Sequence, residues 1–201
     1  MSERNIKKKV GEWLISPTGP IWDEVVRMIY RRQIFRGFMD ICKQAPMVVQ
    51  ESGTEFQHWA VSNYGQAQAV AIRKLNDNRR DTQSMRRLLV IMARIPEFED
   101  VANRDLERLT ETIQPVQNHV DTAIAHLGDP ARVHPPKRER MESISVTWEM
   151  LHNCVDLYSE LLKDYSLRIQ NVTPRLDEVI MRPWEYAFKF AWINTDTPTI
   201  R

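Results

Sequence analysis

Three observations predict an all-α protein. Apolar residues recur at helical period along most of the chain, strand-like alternation is nearly absent, and only 6 glycines occur in 201 residues. Turn pairs such as Asn-Gly or Asp-Gly between apolar alternations are missing, which disfavours a sandwich or barrel. With 42% hydrophobic residues, a chain of this length can bury its core as one domain without disulfides or metals. A single helical domain is expected over 1–201, with a peripheral segment at 1–19, a bundle over 20–194 and a flexible tail at 195–201.

The first long helix opens at Pro20, because proline is pre-set for the first helical position. Ile21, Val25, Met28 and Ile29 share one face; the pattern continues through Ile34, Phe35, Phe38, Met39 and Cys42, and Pro46 stops it. Gly37 either bends this helix or divides it, since glycine costs about 1 kcal/mol relative to alanine in a helix. The next helix begins near Ser52-Gly53-Thr54-Glu55 and runs through Phe56, Trp59, Ala60, Tyr64, Ala67, Val70, Ala71 and Leu75. Its small residues between Ala60 and Ala71 permit close packing.

Asn76-Asp77-Asn78-Arg79-Arg80-Asp81-Thr82 is a polar connector, and Thr82 or Asp81 is the expected N-cap of a helix over 85–93 that Pro96 ends. A further helix starts at Asn103 and carries Leu106, Leu109 and Ile113; Pro115 either kinks it or opens a short new helix. The stretch 129–140, with three prolines and four basic residues, predicts an exposed loop. A long helix follows over about 145–169, with Trp148, Leu151, Val155, Tyr158, Leu162 and Tyr165 on one stripe. The aromatic segment 183–192 is expected to pack onto the bundle.

Charge and composition narrow the function. Lys plus Arg (28) nearly balances Asp plus Glu (27), so no global positive field exists and any nucleic-acid contact has to be local. Cys42 and Cys154 lie in apolar helical patterns without CxxC spacing and read as buried thiols. No stretch approaches the roughly 18 apolar residues of a membrane span, and the start is too polar for a signal peptide, so no membrane partner and a cytoplasmic location are expected. GxSxG, Walker and dinucleotide glycine motifs are absent, which leaves hydrolase, kinase and dehydrogenase readings without support. Most of the 6 tryptophans fall at helical core spacing and are expected to pack, although aromatic rings also stack on unpaired bases. Basic clusters at Arg31-Arg32 with Arg36, and at Arg79-Arg80 with Arg86-Arg87, suit either phosphate oxygens or solvated helix faces.

The most informative stretch is 114–130, which reads as a short helix with two histidines, an aspartate and a glycine stop. His119, Thr122, Ala123 and His126 share one side, beside an apolar stripe of Val116, Val120, Ile124 and Leu127. The i, i+7 spacing puts the two histidines about 10 Å apart along the axis, too far to share a metal ion unaided. No metal and no other cofactor is expected. Histidine remains suited to proton transfer near neutral pH, and an RNA phosphodiester brings its own nucleophile, the 2′-hydroxyl.

Asp121-Thr122-Ala123-Ile124-Ala125-His126, followed by Leu127-Gly128-Asp129, resembles the signature helix of the HEPN superfamily, in particular its AbiU-type abortive-infection branch. The connector 76–82 leading into Ser84-Met85-Arg86-Arg87-Leu88-Leu89 is similar to another recurrent stretch of that branch. The resemblance implies a HEPN-like helical bundle with additional N- and C-terminal helices that dimerises through the signature helices, here 115–127. It further implies a metal-independent ribonuclease centre in the shared cleft, in a defence- or toxin-related protein whose partners are RNA and an antitoxin or other protein. Carried over, His126 is the motif histidine and general acid/base, Asp121 the polar residue that orients its neighbours, and His119 an auxiliary group. Arg86 and Arg87 are the expected RNA-binding residues, with Arg132 from the following loop. The chain departs from the pattern in one respect: Val120 stands where the motif arginine is expected. A catalytically silent interaction module is the competing expectation, because losing such a cation commonly costs about 10² to 10³ in rate.

Overall fold

The computed structural model describes residues 3–15, 17–44, 54–120 and 146–176. Among them there are six α-helices, one 3₁₀ turn and no strand, so the all-α expectation holds. Helix α1 spans Glu3–Gly11, and a 3₁₀ turn follows at Glu12–Leu14. Helix α2 spans Pro20–Gln44, α3 Thr54–Leu75, α4 Met85–Met92, α5 Glu99–His119 and α6 Trp148–Gln170. None of the described helices is long and apolar enough to cross a membrane.

Helix α6 is the central element. Its Leu151, Val155, Tyr158, Leu162 and Tyr165 are all buried, as their stripe predicts, and it packs against α1, α2, α3 and α5. Thr147 caps its start by accepting from the Met150 amide, and Asn171 ends it in the left-handed region at φ 56°. Two buried tyrosines tie it to its neighbours. Tyr158 donates to the Ile72 carbonyl at 3.0 Å, and Tyr165 donates to the Asp105 carboxylate at 3.0 Å.

The N-terminal segment is more than peripheral: Val10, Trp13 and Leu14 belong to the main core. Gly19 makes the return into α2 possible, since a Cβ there would lie 2.5 Å from the Trp13 carbonyl oxygen.

Three open questions of the sequence are decided by packing. Gly37 neither breaks nor divides α2, because Phe35, Phe38 and Ile41 are buried on either side and outweigh glycine's cost of about 1 kcal/mol. Pro115 lies inside α5, where Ile113, Val116 and the following Val120 are anchored in the core. This burial offsets a proline cost of about 3 kcal/mol. The cap of α4 is Ser84, not Thr82 or Asp81; its hydroxyl accepts from the Arg87 amide at 3.1 Å.

The buried face of α3 also differs from the expected stripe. Tyr64, Gln68, Ala71, Ile72 and Leu75 point inward, whereas Phe56 (38%), Trp59 (61%) and Val70 (48%) remain exposed. Trp148 at the start of α6 is 40% exposed too, so two tryptophans expected as packing residues face solvent. Helices α2, α5 and α6 pack on α3, and these exposed residues fall outside the face they bury. Cys42 and Cys154 are buried free thiols, as expected. Burial pushes the Cys154 thiol up to about 12, and its sulfur donates weakly to the Thr112 carbonyl at 3.6 Å.

His152 on α6 faces α2. Its Nε2 is buried and meets no hydrogen-bond partner among the described residues. Burial first, then the charges of Arg36 and Arg32, hold its pKa below the ordinary 6.5, with Asp156 opposing weakly. The unfolded chain therefore binds the proton more readily than the folded one. Stability from this group is present above about pH 6.5 and is lost as pH falls below it. Denaturant titrations at several pH values should show wild-type stability dropping in mild acid more steeply than that of His152→Leu. Parallel curves would contradict this assignment.

A basic cleft between the connector and helix α5

The polar connector folds into a compact cradle. The Asn76 amide donates to the carbonyls of Ile72 (3.0 Å) and Arg73 (3.1 Å), which closes the end of α3. Asp77 then accepts from the Arg79 backbone amide at 2.9 Å and from the Arg79 guanidinium at 2.8 Å. That guanidinium holds the Asp77 carboxyl below the usual carboxylate range. Thr82 donates to the Arg79 carbonyl at 2.8 Å, and Ser84 donates to the Asp77 carbonyl while it caps α4. The cradle thereby sets where Arg86, two residues into the next helix, must emerge.

Arg86 crosses from α4 toward α5. Its guanidinium donates to the Asn76 side-chain oxygen at 3.3 Å and to the Thr110 hydroxyl at 3.2 Å. The Thr110 hydroxyl itself donates to the Leu106 carbonyl at 2.8 Å, and the Asn76 side-chain amide donates to the Gln117 side-chain oxygen. Both acceptors of Arg86 are neutral. Among the described residues no carboxylate forms an ion pair with it, whereas Arg79 is paired with Asp77 and Lys74 reaches Glu24 at 2.5 Å.

These groups line a cleft of about 930 Å³ walled by the end of α3, the connector and the last turns of α5. Among the described residues, Arg73, Lys74, Arg79 and Arg86 face it against the single carboxylate of Asp77, with Gln114 and Gln117 also on its wall. The local field is positive although the whole chain is close to neutral. Such a set can hold an anion: the guanidinium gives charge-assisted bonds and the amides supply further donors. Among the described lining residues the one acid is Asp77, and it is engaged by Arg79. Among the described residues no group of three His, Cys, Asp or Glu gathers to hold a metal ion.

The expected site residues separate into three groups. Arg86 lies in the cleft, as does Val120, which is 2% exposed. Arg87 and His119 are half-buried neighbours of cleft residues but do not line it. His126, Asp121 and Arg132 lie outside the described residues, as do the loop 129–140 and the aromatic segment 183–192. Arg73, Lys74, Asn76 and Gln117 were missed as a set. Asn76 and Gln117 belong to stretches that drew attention in sequence, but only the closing of α3 against α5 brings them together.

Fold and cleft define a class, an all-helical protein with a local basic cleft in a nearly neutral chain. No protein-family model, curated protein or solved structure matches the chain significantly.

Proposed function

We propose that this chain is a HEPN-like, cytoplasmic, defence- or toxin-related protein that binds RNA in the cleft around Arg86 and cleaves it without a metal. In this reading it acts as a homodimer joined through helix 115–127, with an antitoxin or other protein as a further partner. The observation that carries the proposal is Arg86 itself, a half-buried guanidinium held by neutral oxygens in a cleft that Val120 also lines. Val120 occupies the position of the absent motif arginine, so Arg86 supplies from a different helix the cation that the motif lacks. A guanidinium there stabilises the charge that builds on phosphorus as the 2′-hydroxyl attacks. His126 takes the hydroxyl proton and returns one to the departing 5′-oxygen, His119 assists, and Asp121 orients the imidazole. Arg132 adds a phosphate contact from the following loop, and Arg87 contacts RNA beyond the cleft.

Val120 also favours a second reading, a catalytically silent helical interaction module that keeps the cleft for binding. Incubating wild-type and His126→Ala protein with total RNA in excess chelator separates the two. Cleavage by the wild type that falls about 10²-fold or more in the variant supports the nuclease. Equal inactivity of two folded proteins that still bind RNA removes catalysis and leaves the binding module.

A further inference from the structure

Two further depressions adjoin the cleft along α3, each sharing lining residues with the next. Next to the cleft, sharing Val70 and Lys74, lies a depression of about 490 Å³ that Glu24, Arg31 and Gln66 also line. Next to that, sharing Arg31, Asn63 and Ala67, lies an apolar groove of about 350 Å³ walled by Phe35, Tyr64, Phe56 and Trp59. Glu24 is neutralised within this run: Arg31 stands 3.6 Å and Lys74 2.5 Å from its carboxylate. From Phe56 to Lys74 the face extends about 27 Å along the helix.

The two ends differ in chemistry. At one, Trp59 is 61% exposed and lies nearly parallel to Phe56, ring centroids 5.6 Å apart and 24° between planes. Beneath, Phe35 stacks on Tyr64 with centroids 4.0 Å apart, and Trp148 closes on both rings, which makes a rigid aromatic floor. At the other end stand Arg73, Lys74, Arg79 and Arg86. Trp59 and Phe56 together form a contiguous exposed aromatic patch, the kind of surface that marks an interaction site.

We infer that the α3 face is a track for single-stranded RNA, with bases stacked on Trp59 and the sugar-phosphate backbone running into the Arg86 cleft. The combination of a flat aromatic platform and a basic groove is what unpaired strands require. A duplex has its bases stacked on each other and cannot offer them to Trp59. The inference rests on the reading that the cleft binds RNA, and it adds the strand type and the direction of the strand across the fold.

The test is anisotropy with a fluorescein-labelled oligouridylate of about twelve nucleotides, within the roughly 4–16 that single-strand sites cover, and with a duplex RNA of equal length. The wild type should prefer the single strand. Trp59→Ala should weaken single-strand binding about tenfold without changing duplex binding. Trp59→Phe, which keeps a stacking ring, should bind nearly as the wild type but lose the share of RNA-induced tryptophan quenching due to Trp59. Single-strand binding that Arg86→Gln weakens and Trp59→Ala does not, with no quenching lost in Trp59→Phe, overturns the track and leaves the cleft reading standing. Absence of any RNA binding by the wild type overturns both. A concentration-dependent dimer that dissociates in Trp59→Ala, with no single-strand preference, overturns the track in favour of a second copy of the chain on this face.

Discussion

Replacing Arg86 with glutamine is expected to weaken RNA binding about tenfold to a hundredfold. Hydrogen bonds that involve a charged group contribute about 1.5–3 kcal/mol, and each 1.4 kcal/mol is a factor of ten in affinity. Glutamine keeps a donor near Asn76 and Thr110, so the fold is spared while the charge is lost. Because one phosphate contact disappears, the slope of log affinity against log salt should flatten by about 0.7, the single-strand value per contact. Two comparisons sharpen the result. Arg79→Gln should cost less, since that guanidinium is mostly solvated and already spent on Asp77 at 2.7 Å. Arg87→Gln should also cost less than Arg86→Gln, because Arg87 does not line the cleft and touches RNA only beyond it. Equal losses in all three variants would point to diffuse attraction instead of a cleft anchored on Arg86.

Truncating Tyr158 to alanine should be the most damaging single change to the fold. The side chain is fully buried at the middle of α6 and touches α3 through its bond to the Ile72 carbonyl. Removing a buried aromatic ring costs about 3–5 kcal/mol, which for a chain of this size lowers Tm by roughly 6–20 °C. Tyr158→Phe tests the hydroxyl alone. It should cost only about 0.5–1.5 kcal/mol, because the Ile72 carbonyl keeps the Asn76 amide at 3.0 Å. Burial also holds the Tyr158 hydroxyl protonated, its pKa pushed well above the ordinary value, so this donor persists across any practical pH. A thermal melt of Tyr158→Ala within a few degrees of wild type would show that the centre of the bundle repacks freely.

Helical period, proline stops and the polar connector were legible in the chain because they are local: a residue's propensity and its neighbours three and four positions away decide them. The stripe of α6 shows this well, with Leu151, Val155, Tyr158, Leu162 and Tyr165 buried as their spacing requires. Where one local rule opposed another, the sequence left two answers. Pro115 argued for a break and the apolar residues around it for continuity; burial of Ile113 and Val116 decided for continuity. The connector pointed to Thr82 or Asp81 as the cap, but the Thr82 hydroxyl turns back to the Arg79 and Asp77 carbonyls and Ser84 takes the Arg87 amide.

By itself, then, the sequence determined the all-helical class, the buried thiols and the local character of any positive charge. Only the tertiary structure decided which side of α3 is covered, and so that Trp59 faces water while Tyr64 does not. It alone assembled Arg73, Asn76, Arg86 and Gln117 around one cleft. The reason is physical: amphipathic period specifies that a helix has a buried face, but a helix rich in alanine and aromatic residues has several candidate faces. The one that is buried depends on where its neighbours pack, which is a property of the whole bundle.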